Sequence, residues 1–115
     1  MNIKDLVFTG LDASQVPAWF GAWKATEEYP IPPPCYIVFT TMSYPSKYTD
    51  DVISEWKHYA YLEMWATGAY ATQKANVIAS MQTAAFAVDP IRESYEPDTG
   101  SNHISMAFVY IEEVV

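Results

Sequence analysis

Cysteine is almost absent from this chain. Cys35 is the only one, so no internal disulfide can staple the fold. It sits inside the run P-P-P-C-Y-I-V-F, where a cysteine packs as a small hydrophobe. Glycine is scarce as well, at four in 115 residues. The chain contains no G-x-x-x-x-G-K-[ST], no G-x-G-x-x-G and no G-x-S-x-G, so phosphate cradles and nucleophile elbows of known form are excluded. Basic residues number 6 against 14 acidic ones, a formal net charge of -8. That balance argues against a nucleic-acid binder, which needs a basic footprint to release counterions, and against an anionic membrane surface. No apolar run is long enough to cross a bilayer. Lys4 and Asp5 interrupt the only early apolar run, so no signal peptide is read there and the chain is expected to be cytosolic where it is made.

Metal and acid–base patterns are missing too. Neither the repeated Cys/His spacing of zinc sites nor the D-x-[DN]-x-[DN]-G loop of calcium sites is present. Asp50-Asp51 with His58 is the nearest thing to a ligand cluster, and paired acids in a turn are ordinarily a solvated loop. Cys35 with His58 or His103 could in principle form a nucleophile–base pair. Its apolar setting makes a structural cysteine the better reading. No pair of carboxylates stands out for glycosidase-type chemistry. No cofactor, no metal and no enzymatic activity are expected.

What the chain does have is apolar and aromatic bulk. Half its residues are hydrophobic, with four Trp and nine Tyr. A single domain, residues 1–115, of this length buries about two-thirds of its unfolded surface without metal or disulfide support. The aromatics exceed what one small core needs, which points to self-association.

In chain order, residues 2–9 form a short amphipathic helix, with Asn2 as cap and Gly10 at the position just past its end. Residues 16–23 read as a strand, with Val16, Ala18, Phe20 and Ala22 on one face and Trp19 and Trp23 on the other. Residues 24–34 form a proline-stiffened loop leading into the next strand. Residues 35–41 are β-branched and aromatic and read as a central strand covered on both sides. Residues 42–51 are polar and turn-rich and read as a long loop. Residues 52–67 alternate with period two, the longest strand in the chain. Residues 69–85 form the main helix, with Thr67 as cap. Residues 86–96 are a short extended segment broken at Asp89-Pro90. Residues 97–102 form a turn, and residues 103–113 a closing strand with Ile104, Met106, Phe108 and Tyr110 inward. This order predicts an α+β fold. It has a mostly antiparallel sheet of about four to five strands, the main helix on one face and a short N-terminal helix. The outer-face residues Trp19, Trp23, Tyr59, Tyr61 and Trp65 are the candidate subunit interface. Tyr48, Asp50 and Asp51 mark a candidate loop for contact with a channel or a neighbouring chain.

Three segments also carry a family resemblance: Pro34-Cys35-Tyr36-Ile37-Val38-Phe39, Tyr48-Thr49-Asp50-Asp51 and Leu62-Glu63-Met64-Trp65-Ala66-Thr67. In that order they resemble the P-Y-I-V-Y strand, the Y-A-D-N tetrad and the I-E-L-Y-T strand of tail-terminator proteins (tail completion, head–tail joining) of long-tailed bacteriophages. Cys35 is inserted relative to that pattern, Asp51 replaces Asn, Trp65 replaces Tyr, and the third segment has one extra residue near Ala66. The resemblance implies a small α+β subunit of a virion tail or neck, assembled in the host bacterial cytoplasm. It would form a homo-oligomeric ring, typically a hexamer, that caps the tail tube and meets the head-completion or connector protein. DNA would pass through its channel without specific binding, and the acidic charge is consistent with a lining that repels DNA. Alternatives are a neighbouring neck or connector protein, an acidic non-enzymatic module that binds a basic partner, and a small enzyme with an unrecognised acid–base pair.

Overall fold

The computed structural model describes residues 2–97 and 100–114. Its elements run α1 (Ile3–Asp12), β1 (Ala18–Phe20), β2 (Cys35–Thr49), β3 (Val52–Thr67), α2 (Ala71–Thr83), β4 (Ala87–Glu96) and β5 (Ser101–Glu113). They form one α+β unit. The five strands lie in the order β1-β2-β3-β5-β4, antiparallel throughout except for the parallel β1–β2 pair.

The core lies between the two helices and one face of the sheet. Val7 and Leu11 of α1 and Val77 and Met81 of α2 meet Ile37 and Phe39 of β2, Ala60, Leu62 and Met64 of β3, and Ile104, Met106 and Phe108 of β5. The period-two pattern of β3 and β5 produces this directly, since alternate side chains point to opposite faces. A ten-residue helix such as α1 is marginal in isolation, so it holds its shape by docking. Asn2 caps it as expected, accepting from the Asp5 N–H at 3.2 Å.

Gly10 does not end that helix. It lies inside α1, buried against α2, where an added Cβ would stand 3.0 Å from the Ala84 Cβ and 3.5 Å from the Met81 sulfur. The two helices approach closely there because neither side chain intrudes.

The strand expected over 16–23 is only three residues long. It starts after Pro17, whose carbonyl accepts from the Ile37 N–H, and stops at Gly21, which turns away at φ +82°. Parallel neighbours need a long return path. Residues 21–34 supply it, and their prolines keep it extended.

Residues 42–51 are the main departure from the sequence reading. They are strand, not loop, up to Thr49, and β2 and β3 form one long ribbon turned by Asp50-Asp51 alone. Both aspartates are left-handed, at φ +53° and +62°. That is the two-residue hairpin geometry whose twist matches paired strands. Pro45 lacks a donor for the ladder, and the register shifts between Pro45 and Tyr48 in a bulge. Pro90 accompanies a similar shift in β4, between Val88 and Ile91. By contrast Cys35 and Ala66 are paired directly across β2 and β3 with no shift.

Thr67 does not cap α2. Its N–H and hydroxyl are engaged with the Pro34 carbonyl, and the cap position falls on Tyr70, which makes no side-chain cap bond. The helix is shorter at both ends than 69–85. Its C-terminus closes with Ala85 left-handed at φ +72°, while the Ala85 and Phe86 N–H groups bond the Gln82 and Met81 carbonyls. This is the Schellman arrangement with alanine where glycine is usual. Of the turn expected over 97–102, Ser101 and Asn102 belong to β5, and Asp98 and Thr99 lie outside the described residues.

Candidate subunit interface

Both helices lie on one face of the sheet, so β2 is not covered on both sides as its composition suggested. The other face carries no helix. Residues of one parity point there: Tyr36, Val38 and Thr40 of β2, Tyr59, Tyr61, Glu63 and Trp65 of β3, and His103, Ser105, Ala107 and Val109 of β5. Trp19 of β1 and Arg92 of β4 extend the same face to both edges.

The aromatics form two clusters. In the first, Trp65 stacks on Tyr36 (5.6 Å between centroids) and on His103 (4.7 Å), in register across three strands. Trp19 meets Tyr36 edge-on at 6.1 Å and contacts Trp23 and Tyr29 at the corner of the sheet. The Trp23 Nε1 is buried with no hydrogen-bond partner among the described residues. In the second cluster Tyr59 stacks between Tyr61 (5.9 Å) and Tyr44 (5.8 Å). The hydrogen bond shared with the Tyr44 hydroxyl, followed by burial, pushes the Tyr59 phenol up.

Between the clusters runs a polar row. Glu63 accepts from His103 Nε2 at 2.5 Å and from Ser105 Oγ at 2.6 Å. Arg92 pairs with Ser105 across β4 and β5. The face therefore carries aromatic clusters on either side of a polar row.

All five residues expected at an interface lie on or beside this face. Trp19 and Trp23 are half-buried at its edge, and Tyr59, Tyr61 and Trp65 stand along its middle strand. Tyr48, Asp50 and Asp51 are not on it, because they form the exposed tip of the β2–β3 ribbon. Tyr36, Tyr44, Glu63, Arg92 and His103 also belong to the face and were not picked out from the sequence. The parity of Tyr36 and His103 with Trp65 becomes visible only once the strands are paired, and Tyr44 was hidden by reading 42–51 as a loop.

The nucleophile–base pairs considered for Cys35 are not assembled. Cys35 is half-buried and burial pushes its thiol up, away from the thiolate. His58 lies on the helix-covered face. Its Nδ1 is 2.6 Å from Ser43 Oγ and its Nε2 is 2.9 Å from Glu112 Oε1, with Trp56 stacked beside it. The Glu112 carboxylate can only accept, so the Nε2 of His58 donates to it, and the Ser43 hydroxyl can serve Nδ1 as donor or acceptor. It ties β2, β3 and β5 together beside a cavity of about 380 Å³ lined in part by Ile3 and Val114. Among the described residues no group of three or more His, Cys, Asp or Glu is placed to hold a metal ion. Among the described residues no helix is long and apolar enough to cross a membrane. No protein-family model matches the chain, and no curated protein matches it.

Proposed function

We propose that this chain is a structural subunit of a phage tail or neck, of the tail-terminator type. In this role it assembles into a ring that caps the tail tube and meets the connector. The observation that carries the reading is the open sheet face. A sheet of this length, in a molecule 53 × 30 × 23 Å, leaves two stacked aromatic clusters on the side without helices. Tyr61 is 37% exposed there, and Met42 and Tyr44 extend the patch outward. Contiguous apolar surface of this kind marks a protein–protein contact. The α-β-β-β-α-β-β order is the one the resemblance implies, and the direct pairing of Cys35 with Ala66 supports reading both as insertions into that pattern. On this reading the acidic balance of the chain keeps a DNA channel from sticking.

The test is the mass of the purified chain by sedimentation and light scattering, with negative-stain imaging of the particles. Rings of about six copies, alone or seated on tail tubes, are expected. Replacing Tyr61 and Trp65 together by serine should abolish them while leaving the helical signal in circular dichroism. A chain that stays monomeric with and without tubes, up to the highest soluble concentration, refutes the reading.

One observation favours a second reading, a module that binds a basic partner. A groove of about 570 Å³ between α1, β1 and the following loop has Leu11, Trp19 and Tyr29 in its wall and Asp12, Glu27 and Glu28 among its lining. Aromatic faces beside carboxylates suit a lysine or arginine side chain. A monomer that captures a cationic peptide, and loses it on Glu27→Gln with Glu28→Gln, would support this in place of the ring.

A further inference from the structure

We propose that the ribbon tip of one copy docks against Arg92 on the open face of the next copy. This rests on the ring reading and names the contact that would build it. The open face is not flat. Tyr59, Tyr61 and Trp65 of β3 form a ridge, and beside Tyr61 and Glu63 β5 presents only the small residues Ala107 and Ser105. The step leaves a furrow of about 400 Å³, bounded by Tyr61, Glu63, Pro90 and Arg92 and floored by Ser105 and Ala107. Glu63 is occupied by His103 and Ser105. Arg92 makes no ion pair among the described residues, whereas Lys47 and Lys74 are paired with Glu55 and Glu93. The furrow is therefore largely apolar, with a carboxylate already engaged by His103 and Ser105 and one guanidinium without an ion pair at its rim.

The tip has the complementary features. Asp50 and Asp51 sit side by side in the turn, both exposed and without an ion pair among the described residues. Tyr48 and Val52 flank them at 61% and 66% exposure. Two carboxylates with an aromatic ring beside them match a guanidinium above an apolar floor, in charge and in shape.

The tip cannot reach its own Arg92. β2 and β3 are paired out to Thr49 and Val52, and β3 is paired with β5 from Thr67 to Glu55. Val52 and Glu63, the β3 residue level with Arg92, are roughly 36 Å apart at ~3.3 Å per residue. The contact joins two different patches on two copies. Such head-to-tail contacts close into a ring when the rotation between copies allows it.

The experiment is a charge exchange in the full-length chain, read by sedimentation at low and high salt. Arg92→Glu, and separately Asp50→Lys with Asp51→Lys, should each weaken association at least about tenfold. Combining all three changes in one chain should restore much of it. Asp50→Asn with Asp51→Asn, which suits the left-handed turn, should also weaken association with the fold unharmed. An assembly indifferent to these changes, or one that the combined chain fails to restore, overturns the contact and leaves the ring reading standing. A wild-type chain that never associates removes both.

Discussion

The turn that forms the ribbon tip allows stability and assembly to be moved in opposite directions. Asp50 and Asp51 hold left-handed φ values of +53° and +62°. An ordinary L-residue there costs about 1–2 kcal/mol, less for aspartate, whose side chain can bond locally. Glycine escapes that strain but loses roughly 0.5–1 kcal/mol more backbone freedom on folding. The balance favours Asp50→Asn with Asp51→Gly by about 0.5–1 kcal/mol, which also removes repulsion between adjacent carboxylates. For a domain of this size that raises the melting midpoint by about 2–4 °C. Ala85 is the control. It is left-handed at φ +72° with no polar side chain, so Ala85→Gly should stabilise by up to about 1 kcal/mol. Thermal and urea unfolding of the three chains measure the gains, and sedimentation measures assembly. The turn variant should melt higher and associate more weakly, whereas Ala85→Gly should melt higher and associate as before. A lower midpoint for either variant refutes the strain argument. Undiminished association in the turn variant refutes the role given to the tip.

Three further outcomes follow from the packing. Gly10→Val should destabilise by about 1–3 kcal/mol through crowding against Ala84, and adding Ala84→Gly should recover part of that loss in urea unfolding. Leu62→Ala, at a fully buried position of the central strand, should cost about 2–5 kcal/mol by the same measurement. Glu55 is held below the usual carboxylate range, first by the Ser46 hydroxyl at 2.6 Å and then by Lys47 against the opposing effect of burial. A lowered folded pKa stabilises fully above the unfolded value and is lost as pH falls through the folded one. The stability gap between wild type and Glu55→Gln should therefore be present at neutral pH and close below about pH 4, as followed by urea unfolding across that range.

The element order, the span of β3 and the inward residues of β3 and β5 were legible because they rest on local facts. Period-two alternation, good helix formers without glycine or proline, and Asn2 ahead of an apolar turn need no partner to be read. The same local view misread 42–51. Serine, proline, lysine and aspartate have low strand propensity, and only pairing with β3 holds them extended. Gly10 was read as a stop signal because glycine commonly ends helices, whereas here it serves contact with a helix some seventy residues away.

The candidate interface divides along the same line. Trp19, Trp23, Tyr59, Tyr61 and Trp65 could be chosen from alternation alone, because a strand with bulky aromatics on its second face has more apolar surface than one core can absorb. Which residues join them is a matter of register. Tyr36, Trp65 and His103 become one stack only because β2, β3 and β5 align there, and Arg92 enters because β4 lies beyond β5. Alternation along one strand tells which side a residue faces, and it carries no information about which strand lies alongside. The uncovered face has the same origin. Whether two helices share one side of a sheet or take opposite sides depends on contacts such as Gly10 with Ala84, made between elements far apart in the chain.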